Sequence, residues 1–150
     1  MKKNLLVQEA ADAISARVEK LNSRSLPLWG KMNVSEMLLH CNLCNRETLE
    51  GTNSGRKTSA RQYVLRLFAL YLLPKYLKGI KSDAANIAKG KAGATDLEQQ
   101  KQECIELIKK FPLVNHPLTL SHHVFGNIST HQWGIAAYKH MDHHLRQFGV

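Results

Sequence analysis

Histidine is the residue type that could do chemistry in this chain, and its spacing is uneven. Three of the eight histidines, His140, His143 and His144, fall within the C-terminal stretch YKHMDHHLRQFGV. A neutral imidazole offers one lone pair, to a proton or to a metal ion, and two imidazoles one helical turn apart can share a single ion. At ~100° per residue with Trp133 at zero, Ala137, Phe148, Met141, Leu145 and Tyr138 fill an arc of roughly 40–140°. His144 and His140 flank that arc near ~20° and ~340°, whereas His143 lies near ~280°. The trio therefore divides into an inward pair and a rim residue.

A third inward imidazole, His40, lies about a hundred positions earlier. Ser35, Asn42 and Arg46 fall on the opposite side of its helix, while Met37, Cys41 and Cys44 share its face. Each histidine alone is accounted for by a hydrogen bond to a neighbouring carbonyl. Three on two facing helices instead make a donor set that helical bundles use for metals. With no acidic ligand, His40, His140 and His144 would leave the ion its charge and an open position, as in catalytic zinc sites. Acidifying a bound water or thiol would suit hydrolysis or thiol transfer.

The supporting residues are less specific. Glu36 and Glu47 flank His40 on nearly its own face and are candidates, with His143, for proton transfer; Glu36 is equally suited to a capping box. Cys44, Trp133 and Gln147 are candidate pocket residues. Cys41 and Cys44 form a lone CxxC, a weak signal whose plainer meaning is two small buried thiols; the sharper one makes Cys44 a fourth ligand.

These residues need helices to position them. Sustained two-residue alternation is missing, and apolar residues recur at three- and four-residue spacing, which predicts an all-α chain. Helices are expected over Lys3–Asn22, from Asn33 to Gly51, over Ala60–Lys78 with a kink or stop at Pro74, over Asp96–Phe111 before Pro112, and over Ser129–Phe148. Asn33 with Glu36, and Ser129 with Gln132, have the spacing of capping boxes. A four-helix bundle with one additional helix, as a single domain over 1–150, is the simplest closure.

The chain has 150 residues, 43% of them hydrophobic, and a formal net charge of +9. No apolar run approaches the ~20 residues of a membrane span. The N-terminus lacks a signal-peptide core, so a cytoplasmic protein with reduced cysteines is expected. Between 52 and 94, nine Lys and Arg stand against Asp83 alone, interleaved with Tyr63, Phe68, Tyr71 and Tyr76. That segment supports an alternative, non-enzymatic reading as a basic module binding nucleic acid or anionic membrane. A solvated basic helix is its plainer meaning.

The stretches LPLWGKMNVSEMLLHC and HHVFGNISTHQWGIAAYKHMDHHLRQFG resemble the DinB/YfiT-like superfamily, within it a bacterial subgroup with a similar HHLRQFG tail. The resemblance covers about a third of the chain. It implies an up-down-down-up four-helix bundle holding a divalent metal, zinc or nickel foremost, between His40 and the pair His140 and His144. It further implies a metal-dependent enzyme of hydrolase or thiol-transferase type, with a low-molecular-weight thiol as a further cofactor. A small-molecule substrate, an anionic one suiting the basic charge, and a homodimer are the partners expected. At the connector the chain has Val124 after His123, where the superfamily leads one to expect His-Pro before Phe-Gly.

Overall fold

A computed structural model describes residues 3–52, 55, 57–78 and 97–150. Much of the basic segment 52–94, including Lys81, Asp83, Lys89 and Lys91, lies outside the described residues. Within them the chain is mostly helical, with one two-stranded sheet. The order is α1 (Gln8–Glu19), α2 (Val34–Glu50), α3 (Ala60–Arg66), a π-helical turn (Leu67–Leu72), α4 (Leu97–Lys110), a 3-10 turn (Phe111–Leu113), β1 (Ser121–His122), β2 (Gly126–Asn127) and α5 (Thr130–Gln147).

Capping chemistry sets the helix starts that matter for the site. In both α2 and α5 the cap side chain, Asn33 or Ser129, accepts from the backbone of the third helical residue. Glu36 and Gln132 reach back in turn to the cap backbone, as their spacing predicts. Each box satisfies donors that would otherwise be orphaned, worth about 1 kcal/mol per cap. Ser59 and Gln62 form a third at α3.

Elsewhere the boundaries move. The first helix does not begin at Lys3, because Asn4 turns the chain and ties it to α5. Its Oδ1 accepts from Leu6 N (2.9 Å), its Nδ2 donates to the His131 carbonyl (3.0 Å), and Leu5 N reaches Gly134 O (3.1 Å). At Gly134 a Cβ would stand 1.9 Å from Asn4 Oδ1, so this approach requires glycine. The expected helix over Ala60–Lys78 stops before Leu73 and Pro74, its last part widened to π geometry with Leu73 N bonded to Phe68 O (2.8 Å). Lys139 Nζ donates to the Ala69 and Leu73 carbonyls (2.5 and 2.6 Å), stitching that turn to α5.

Helix α4 packs against α1 and α2, and α5 packs against the same two. Ile14, Met37, Cys41, Ile108, Met141 and Leu145, all fully buried, lie in the core these four share. A second cluster, built on Leu70, Phe125, Trp133 and Ile135, fills the other side of α5, under the π turn and the hairpin. The hairpin, read from sequence only as a connector, turns through Gly126 at φ 68°. No helix among the described residues is long and apolar enough to cross a membrane.

Candidate metal centre

Because α2 and α5 pack on each other, their inward histidines meet. Nε2 of His40 stands 3.0 Å from Nε2 of His140. The ring centroids of His40, His140 and His144 are 4.7–5.0 Å apart, with planes at 69–88° to one another. The three rings meet edge to face and are not stacked. His40 and His144 are buried and His140 nearly so.

Cys44, one turn beyond His40, joins them. Its sulfur is 3.9 Å from both ring nitrogens of His40, and the donor atoms of His40, Cys44 and His140 all lie within 4.8 Å of one another. Around a tetrahedral zinc, with bonds of about 2.0–2.1 Å to nitrogen and about 2.3 Å to sulfur, donors stand roughly 3.3–3.6 Å apart. The 3.0 and 3.9 Å pairs are within a few tenths of an ångström of that spacing, and the third pair is within 4.8 Å, so His40, Cys44 and His140 could hold a metal ion.

The state of His144 is fixed by its surroundings. Gln147 Nε2 donates to the Trp29 carbonyl at 2.7 Å, and a carbonyl can only accept, so the amide orientation is determined. Oε1 of the same amide is thereby turned to His144 Nδ1, at 2.9 Å, where it must receive a proton. A neutral His144 carries that proton on Nδ1 and leaves Nε2 as a lone pair. This is the arrangement in which outer hydrogen bonds orient a ligating imidazole.

Burial keeps the His140 and His144 rings neutral. It lowers the pKa of His144 to about 3, with His40 pressing the same way and the Gln147 hydrogen bond opposing. His140 is held well below the usual histidine range by burial first, and then by its neighbours His144, His40 and His143. Neutral imidazoles at pH 7 are what a metal requires.

The cluster opens on a cavity of about 450 Å³. Phe68, Leu73, Leu120, Phe125 and Trp133 supply apolar wall, and the histidines with Cys44 supply a polar end. Of the residues singled out from sequence, Glu47, His143, Cys44 and Trp133 line this cavity. Trp133 also belongs to the second core, its Nε1 donating to Leu120 O at 3.1 Å. His143, half-buried, meets Trp29 edge-on at 5.9 Å, and burial lowers its pKa. Glu36 is engaged in the capping box of α2. Gln147 is buried behind His144 and not in the cavity wall, so its place is that of an orienting residue, not a pocket residue. The CxxC divides: Cys44 faces the cavity, while Cys41 is in the core, its thiol near Met37 Sδ and pushed up by burial.

The sequence profile of a family described as Protein of unknown function (DUF1569) matches residues 1–149. The chain belongs to this family. Comparison with curated proteins and with solved structures finds no match.

Two further residues of this family member escaped the sequence reading. Trp29 acts through its carbonyl, a role with no residue-type signal. His122 lines the cavity from the hairpin, and the only hint was its place in the HHVFG connector.

Proposed function

We propose that this protein is a divalent-metal-dependent enzyme built on a DinB-type four-helix bundle of α1, α2, α4 and α5. In this reading His40, His140 and His144 hold the ion, and Cys44 occupies or borders the position that faces the cavity. The observation that carries it is the convergence of donor atoms: those of His40, Cys44 and His140 all lie within 4.8 Å of one another, and the His144 ring packs against both histidines. The Gln147 amide would in addition orient His144 with Nε2 as a lone pair.

When bound, a divalent ion supplies Lewis acidity, polarising a carbonyl or acidifying a water or thiol. The chain's own residues do the rest. The apolar wall around Phe68, Leu120 and Trp133 would bury the apolar part of a substrate beside the polar end. His143 and Glu47, at the same cavity, are placed to take and return a proton. Hydrolysis and thiol transfer both fit this set, the latter with a small thiol entering beside the histidines.

Metal analysis of protein purified without a histidine tag tests the reading, with His40→Ala and His144→Ala alongside. We expect about one ion per chain in the wild type and loss in both variants. Absence of metal from the wild type, after exposure to zinc and nickel, sinks it.

One observation favours a second reading. On α3 and the π turn Tyr63, Val64, Leu67, Phe68 and Leu72 are each more than half exposed, and Arg61 and Lys75 are exposed nearby. Apolar and basic groups together suit an anionic membrane surface. Salt-sensitive sedimentation with phosphatidylserine vesicles, unaffected by His40→Ala, would favour this reading over a soluble enzyme.

A further inference from the structure

His122 is not among the three clustered imidazoles, yet its protonation state is as tightly determined as that of His144. Its Nδ1 accepts from the backbone N–H of Val124 (3.0 Å) and of Phe125 (3.2 Å). Two amides can only donate, so Nδ1 is a lone pair and the neutral ring carries its proton on Nε2. The ring is also clamped. It stacks on Phe125 (4.2 Å, 19°) and on His123 (4.7 Å, 15°), and leans on Trp133 at 5.1 Å. Burial, with His123 adding to it, lowers its pKa to about 3, so the ring stays neutral through the physiological range.

The Nε2–H therefore lies on the edge opposite the hairpin backbone, on a ring that lines the cavity. Among the described residues it has no hydrogen-bond partner, and it is not sealed from solvent. The surrounding wall is chiefly carbon: Leu65, Phe68, Leu73, Leu120 and Phe125. A preformed cavity of a few hundred cubic ångströms, apolar with a few placed polar groups, has the character of a small-molecule site.

We propose that the cavity takes a largely apolar small molecule bearing a carbonyl oxygen, and that His122 Nε2–H donates the hydrogen bond that orients that oxygen. A fixed neutral donor in an apolar wall selects an acceptor. An apolar ligand without one would leave the N–H desolvated and unpaired, which costs more than the bond itself gains. This names the substrate class for the metal-dependent reading and rests on it for where the reaction takes place. Binding itself requires no ion.

An isosteric pair of probes tests this, 2-acetylnaphthalene and 2-isopropenylnaphthalene, which differ by a carbonyl oxygen in place of a methylene. Titrated into EDTA-treated wild type, the ketone should bind about tenfold more tightly, the ratio expected of one buried hydrogen bond. The His122 Nε2–H resonance should shift with the ketone and stay in place with the hydrocarbon. In His122→Phe the two probes should bind alike. Because that variant removes the acceptor of two hairpin amides, the wild-type resonance shift stands as a readout that does not depend on its folding. Binding of neither probe, equal binding of both by the wild type, or a ketone preference that survives in His122→Phe would each overturn the proposal. Metal analysis of the same preparations keeps the two readings separable. Ketone-selective binding by a protein that takes up no metal sustains this inference and sinks the enzyme, while a metal-loaded protein that binds neither probe does the reverse.

Discussion

Gln147 holds His144 by a single hydrogen bond of 2.9 Å, and the same amide is anchored 2.7 Å from the carbonyl of Trp29. One side chain thus connects the loop before α2 to the last turn of α5. It is also what gives His144 a defined tautomer.

Replacing Gln147 should therefore alter metal binding as well as stability. Removal of an outer hydrogen bond to a ligating histidine lowers metal affinity roughly 10–100-fold. We expect that loss in Gln147→Ala, with a stability cost of about 1–3 kcal/mol from the unpaired Trp29 carbonyl and His144 N–H. Gln147→Glu keeps an acceptor for His144 but sets a carboxylate against the Trp29 carbonyl. It should retain more metal affinity than the alanine variant, at a larger cost in stability. Zinc titration against a competing chelator, with urea melts beside it, distinguishes the two effects; equal zinc affinity in all three proteins would rule out the relay.

Gly30 guards the same contact. Its φ of +83° lies in the left-handed region, and a Cβ there would stand 2.5 Å from Gln147 Nε2. Gly30→Ala should cost about 1–3 kcal/mol in backbone strain and displaced contacts. It should also weaken zinc binding, and its effect should not add to that of Gln147→Ala, since both break one relay. Additive losses in the double variant would mean that Gly30 acts elsewhere.

Cys44 offers a spectroscopic prediction. If its sulfur is a ligand, the cobalt-substituted protein should carry a near-ultraviolet thiolate-to-cobalt charge-transfer band that disappears in Cys44→Ser. Cobalt should remain bound in that variant, because three imidazoles are left. A cobalt protein without the band would place Cys44 at the border of the ion and not in its coordination shell.

The meeting of His40, His140 and His144 was legible in the sequence because helical periodicity is rigid and two capping boxes fix where α2 and α5 begin. Once those starts are set, the face of each histidine follows. The Gln147 relay was not legible, since its partner is a backbone carbonyl 118 positions away and any residue at Trp29 supplies one. His122 was hidden for a related reason: its role depends on a hairpin only two residues per strand, too short for an alternation signal. Leu5 and Leu6 have helical spacing with α1, yet Asn4 spends its side chain on α5 and delays the helix. Nor does LFALYLL distinguish α from π geometry. The carbonyls of Ala69 and Leu73 meet Lys139, and that tertiary contact accompanies the wider turn.

Lys139 should accordingly matter to the cavity wall. Its side chain is buried, and its ammonium donates to two carbonyls of the segment that carries Phe68 and Leu73. Hydrogen bonds to a charged group contribute about 1.5–3 kcal/mol. Lys139→Met, which preserves length but not the donors, should lower stability by roughly that amount. Amide exchange at residues 69–73 should also accelerate ahead of that in α1 and α4. Uniform acceleration throughout the chain would indicate a general loss of stability instead.

Acid should destabilise the metal-free fold through its buried histidines. His122 and His144 titrate near 6.5 in an unfolded chain but near 3 in the fold, so below about pH 6.5 the unfolded state binds protons that the native state refuses. Their contribution is complete above about pH 6.5 and is lost as pH falls toward 3, at up to about 1.4 kcal/mol per group per pH unit. Unperturbed carboxylates remain ionised between pH 7.5 and 5.5, so a change in that window is attributable mainly to histidine. Urea melts of EDTA-treated protein should lose about 3 kcal/mol between those two values. An unchanged midpoint would mean that these rings accept protons while still folded, and that the cluster is more open to water than its burial implies.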